Sequence, residues 1–260
     1  MVTAASPLYR QRLRLKLAAI VGVELAYIGV RALIYSYMPL KNGVDWFIRD
    51  TAMDIPRVVG LALVSWLGVR FWGARGIGFH GGGGIEALRW GLPWIAIAFV
   101  PEFFLPYSFN YGPFALATEA VNCFLFVAIF EETLFRGALV NAFADIVGPW
   151  SAITLSALLF TVFHLQAVPF IEWPNLFMNG MFFGLLRRQG VGLPWLIFLH
   201  GTFDTLFYLG PHHYGDLSLE VRAVSYGALA LFILACTRSL GKKPFETANG
   251  FSARRPVVKP

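Results

Sequence analysis

The stretch Phe130-Glu131-Glu132-Thr133-Leu134-Phe135-Arg136-Gly137 closes an apolar run that begins near residue 114. Three ionisable side chains at the end of such a run are the reading on which the fold turns. In a soluble helix they would mark an exposed face. In a chain this apolar they lie in a membrane segment, where each costs a few kcal/mol or more and is kept for a task.

The rest of the chain decides between these readings. Of its 260 residues, 57% are hydrophobic types, 16% are aromatic and only 14% are charged. Mean hydropathy is +0.62. A soluble domain of this length could not hide that much apolar surface, and the same composition excludes intrinsic disorder, collagen and a disulfide scaffold. The expected fold class is all-α: a polytopic transmembrane helix bundle of about eight spans. These spans are drawn at about 17–37, 55–72, 90–108, 114–137, 150–169, 174–187, 192–210 and 221–237. Gly81-Gly82-Gly83-Gly84 reads as a flexible connector between the second and third. The domain reading follows. Residues 1–113 are N-terminal transmembrane spans, 114–210 a catalytic core, 211–237 the last span and 238–260 a basic cytoplasmic tail.

Net charge is +6, from 21 Lys and Arg against 15 Asp and Glu. The basic residues lie between apolar runs and at the ends, so they speak for membrane orientation and not for nucleic acid. With the N-terminus in the cytoplasm, 16 Lys and Arg fall on the inner side and four, Lys41, Arg49, Arg57 and Arg222, on the outer. This is the pattern of a multi-pass plasma-membrane protein with both termini cytoplasmic. Trp46, Trp72, Trp90, Trp150 and Trp173 lie near span ends, as interfacial anchors do. Cys123 and Cys236 offer neither a disulfide framework nor a metal pair.

Helical spacing sorts the polar residues. Glu132 and Arg136 are four apart and can pair on one face. Glu131 is turned about 100° away and is free to face another helix. Glu132 is expected to stay ionised beside Arg136, with Glu131 poised as a base. Phe160 and His164 share a face in span five, and His200 and Asp204 share one in span seven. Three helices thus contribute polar faces that would meet around a small wet cavity. Two imidazoles with one or two carboxylates suit metal ligation or general-base hydrolysis. Glu24 and Arg31, seven apart in span one, read as a packing pair. His80, His212 and His213 read as surface residues.

The series E-E-x-x-x-R, F-x-x-x-H and H-x-x-x-[N/D] resembles that of the CPBP family, the CAAX-protease and bacteriocin-processing intramembrane proteases, also called the Abi family. Here it reads Glu131, Glu132, Arg136; Phe160, His164; His200, Asp204. The stretch from Phe177 to His200, with Gly180, Gly184 and Arg187, is similar to that family's third segment. The resemblance covers roughly residues 114–208. It implies an all-helical membrane endopeptidase, metalloprotease by convention, acting on a protein or peptide substrate within membrane lipid. Glu131 would activate the water. His164 would hold that water or a metal, and His200 with residue 204 would bind a metal or stabilise the oxyanion. Many relatives carry Asn where this chain has Asp204, which cannot donate a hydrogen bond while ionised. Zinc suits His164, His200 and Glu131 as donor types, and a metal-free site stays open beside it. The rival readings are a non-catalytic scaffold or immunity protein of the same fold, and an ion-coupled transporter. Intact Glu131, His164 and His200 speak against the first, and the lack of an internal repeat against the second. One tension remains. His164 lies about 14 residues into span five, whereas His200 is only about eight residues into span seven. The expected remedy is that span five enters the bilayer later than drawn.

Overall fold

The computed structural model describes residues 7–38, 43–99, 113–165, 168–209 and 218–240. Every element among them is helical. In chain order they are α1 (Pro7–Tyr37), α2 (Gly43–Ile77), α3 (Gly84–Phe99), α4 (113–147), α5 (Pro149–Phe163), α6 (Trp173–Arg188), α7 (Leu193–Leu209) and α8 (Leu219–Leu240). A single 3₁₀ turn, Phe170–Glu172, leads into α6. These eight helical stretches stand where eight spans were drawn, and the all-α membrane bundle holds. By length and composition, three segments are sufficient to cross a membrane: Leu13–Tyr37, Ala52–Ile77 and Leu219–Ser239. The helix α5 has 15 residues and α6 has 16, roughly 22–24 Å at 1.5 Å per residue and short of a ~30 Å hydrocarbon core.

Two apolar clusters organise the bundle. One gathers Ile20 and Tyr27 of α1, Val64 and Trp72 of α2, Phe130 and Phe135 of α4, and Phe160 and Phe163 of α5. The other gathers Trp94 of α3, Phe182 and Leu186 of α6, Leu196 and Leu199 of α7, and Leu229 of α8. Lipid supplies no hydrophobic drive between helices, so close packing of small residues must hold them. At Gly180 a Cβ would come within 2.8 Å of Ala157 Cα, and at Gly184 within 2.6 Å of Ile153 Cγ2. The G-x-x-x-G step of α6 is thus the seam against α5.

Several boundaries differ from the sequence reading. The fourth span was ended at 137, but α4 runs on to Val147. Its apparent polar exit is buried and satisfied: Asn141 Nδ2 donates to Gly76 O at 3.0 Å and to Gly137 O at 2.6 Å. Gly148, at φ +84°, then breaks the chain, and Pro149 starts α5. Trp72 is no interfacial anchor. It is 5% exposed, and its Nε1 donates to Asp145 Oδ2 at 3.0 Å. The tetraglycine is no flexible connector. Gly192 N donates to Gly82 O at 3.0 Å, Leu193 N to Gly78 O at 2.8 Å and Trp195 Nε1 to Gly81 O at 3.0 Å. A Cβ at Gly83, whose φ is +78°, would stand 2.6 Å from Val191 Cα. Backbone packed on backbone requires these glycines. The end of span three beyond residue 99, His212 and His213, and the tail from residue 241 lie outside the described residues.

Candidate active site

The acidic pair sits in an unusual stretch of helix. Within α4, Cys123–Ala128 and Glu132–Leu139 are π-helical, with three α-helical residues, Ile129–Glu131, between them. Such turns bond i to i+5 and recur at functional sites. Residues Glu132 to Leu139 are all buried. The four-residue spacing still brings Arg136 Nη1 to 3.0 Å from Glu132 Oε1. The guanidinium also lies 4.5 Å from the Phe160 ring and 5.3 Å from that of Phe183, a cation–π setting that replaces lost water.

His200 on α7 joins this pair. Its Nδ1–H donates to Glu132 Oε1 at 2.7 Å. That bond turns Nε2 toward Asp204 Oδ2 at 3.3 Å and Glu131 Oε2 at 3.8 Å. On α5, His164 Nδ1–H donates to the Phe160 carbonyl at 2.8 Å. A carbonyl only accepts, so the tautomer is fixed and Nε2 is the free face. It stands 3.7 Å from Glu131 Oε2. Both imidazoles are held at Nδ1 and present Nε2 to one carboxylate oxygen. Glu131 Oε2 is buried and has no hydrogen-bond partner among the described residues. Gaps near 3.7 Å between polar atoms are ones a shared water spans.

All six sequence-predicted residues therefore meet: Glu131, Glu132, Arg136, His164, His200 and Asp204. The offset between His164 and His200 is resolved differently from expectation. The helix α5 starts at Pro149, as drawn, and ends at Phe163, with His164 as its C-cap. The short helices are staggered against each other, and no later entry of α5 is needed.

The structure adds residues that spacing did not reveal. Arg31 does not pair with Glu24. Its Nη1 donates to Phe163 O at 3.1 Å, capping an orphan carbonyl at the end of α5 next to His164. Tyr27 stacks on the Phe163 ring at 5.1 Å. The Glu132–His200 bond crosses between two helices, so no local spacing announces it. For Arg31 the signal was there, a buried cation in an apolar span. On the far side of the site, Arg222 of α8 pairs with Glu172, which also accepts from Tyr226 Oη at 2.9 Å.

Among the described residues no group of three or more His, Cys, Asp or Glu is drawn together as a metal would draw it. The donor types and the orphaned Glu131 Oε2 fit zinc. The 3.7 and 3.8 Å gaps are wider than the roughly 3.4 Å between two ligands of one tetrahedral zinc.

No curated protein and no solved structure matches the chain. A family model does, over residues 113–206, and its description is type II CAAX prenyl endopeptidase, Rce1-like. The match spans α4 to α7 and contains every residue gathered around Glu131. Across this segment the chain is a member of the Rce1-like branch of the CPBP family, a family of proteases seated in membranes.

Proposed function

We propose that the chain is an intramembrane endopeptidase in which Glu131 activates a water for attack on a peptide carbonyl. One observation carries this reading: Glu131 Oε2 lies 3.7 Å from His164 Nε2 and 3.8 Å from His200 Nε2. A water between Glu131 and His164 gives its proton to Glu131 as its oxygen bonds to the carbonyl carbon. The carbonyl oxygen becomes an oxyanion facing His200 and Asp204. A proton held between Nε2 and Oδ2 supplies the donor it needs. Collapse of the tetrahedral intermediate breaks the C–N bond, and Glu131 returns its proton to the leaving nitrogen. Glu132 and Arg136 touch no substrate in this scheme. They fix the ring of His200.

His164, His200 and Glu131 are the residues that would hold a zinc ion, which when bound would polarise the water and the carbonyl. The steps above do not pass through it. The family description names prenylated CAAX proteins, and a peptide with a farnesylated cysteine three residues from its C-terminus is the first substrate to try. We place both termini in the cytoplasm, on the 16-to-four bias of basic residues.

The test compares membrane proteomes of cells carrying the wild type and Glu131→Gln. A cleavage product lost in the variant names the substrate and establishes the activity. Identical proteomes at equal expression, with no cleavage of the farnesylated peptide by the purified wild type, would favour the scaffold reading.

A further inference from the structure

We propose that Asn179 and Asn175 form an edge that binds the backbone of an extended peptide beside the reacting centre. The proposal rests on the endopeptidase reading and names how its substrate is held.

Asn179 is 7% exposed, and its Oδ1, like that of Asn175, has no hydrogen-bond partner among the described residues. An unpaired buried amide costs about 1–3 kcal/mol, and lipid offers no water to relieve it. Two such groups on one helix call for a ligand.

Their position says which. Gly180 and Gly184 turn one face of α6 to α5. Phe182, stacked on Trp94 at 4.5 Å, turns another to α3. The face between them carries Phe183, whose ring lies 5.6 Å from that of His200. Asn179 precedes Phe183 by four residues and Asn175 by eight, so they continue this face by one and two turns. Gly184 meets Ile153 and Gly180 meets Ala157, so the two helices run antiparallel. Moving from Phe183 to Asn175 therefore leads from His200 toward the end of α5 that bears His164. The two amides line the side of the gap into which both imidazoles look.

A peptide bond can be attacked only where the chain is extended, because a helix ties its carbonyls internally. The edge of an extended chain repeats its N–H and C=O groups every two residues, about 6.6–6.8 Å. Side chains one helical turn apart are spaced about 5–6 Å, close enough to meet successive rungs. A primary amide both donates and accepts, so it pairs with a peptide edge whatever the side chains are.

The experiment uses the full chain in detergent, with a quenched fluorogenic farnesylated peptide and an analogue in which the amide flanking the scissile bond is an ester. Asn179→Leu, of similar size, is expected to raise KM about tenfold, the loss of one or two hydrogen bonds. Its kcat should fall less, and its Tm should be unchanged or higher, since an unsatisfied amide has been removed. The ester should bind more weakly to the wild type and lose nothing further in Asn179→Leu. An unchanged KM, an ester effect that persists in the variant, or a variant that no longer folds would each overturn the proposal while leaving the endopeptidase reading standing. A wild type that cleaves neither this peptide nor its unprenylated form overturns that reading, and the asparagine edge with it.

Discussion

The helices α1 and α4 both bury charge, and they use it in opposite ways. In α4 the charges answer one another: Glu132 holds Arg136 at 3.0 Å, and the same carboxylate holds His200 at 2.7 Å. In α1 they do not. Arg31 reaches across to the Phe163 carbonyl, and both oxygens of Glu24 are buried without a hydrogen-bond partner among the described residues. The contrast teaches that a four-residue spacing predicts a partner and a seven-residue spacing does not. Two turns of helix, about 10.5 Å of rise, is farther than the pair can close.

The sharpest way to break this contrast is Glu132→Gln. It should cut cleavage by roughly 10²-fold or more, because the ring of His200 loses its anchor, and lower Tm clearly, because Arg136 is left buried without its anion. Glu131→Gln should abolish cleavage with Tm unchanged. Equal Tm losses in a melting assay of the two purified variants would show that the carboxylates do not divide the work. Arg31→Met comes next. It uncaps the Phe163 carbonyl and should lower kcat roughly tenfold, the loss of one charged hydrogen bond at about 1.5 kcal/mol. Arg31→Lys should recover part of it. A kinetic series in which Lys is no better than Met would make Arg31 mere packing.

Asp204→Asn has a sign that depends on zinc. If zinc is held, metal retention measured by elemental analysis should fall, as a neutral amide is a poorer ligand. In a metal-free site the amide itself donates to the oxyanion, and cleavage should survive or rise. Full activity in a metal-free Asp204→Asn preparation ends the zinc reading. The smallest effect belongs to Glu24. Glu24→Leu removes an unpartnered carboxylate from an apolar cluster and should raise Tm by a few degrees with cleavage unchanged. A fall in both would reveal a partner for Glu24 and bring α1 closer to α4 in kind.

What the sequence made legible was local. Glu132 with Arg136, Phe160 with His164 and His200 with Asp204 follow from helix geometry alone, and all three pairs are in place. What it hid was set by packing between helices. The anchoring of His200 by Glu132 was hidden because 68 residues separate them. Asn141 looked like the exit from a span because its partners, Gly76 and Gly137, include one from another helix. The tetraglycine looked slack because composition reports freedom in the unfolded chain, and here that freedom is used to let two backbones touch. Residues 190–193 supply the surface on which it docks.

The π-helical turns of α4 make the length of the chain part of the site. Each turn takes one residue more than an α-turn. Deleting any one residue between Cys123 and Ala128 would let that turn relax to α and swing everything beyond it by about 100° relative to what came before. Glu131 and Glu132 would keep their identities and lose their direction. Point substitutions along the lipid-facing side of this segment should be absorbed, whereas single-residue deletions should not, so that α4 behaves as a ruler whose count matters more than many of its letters.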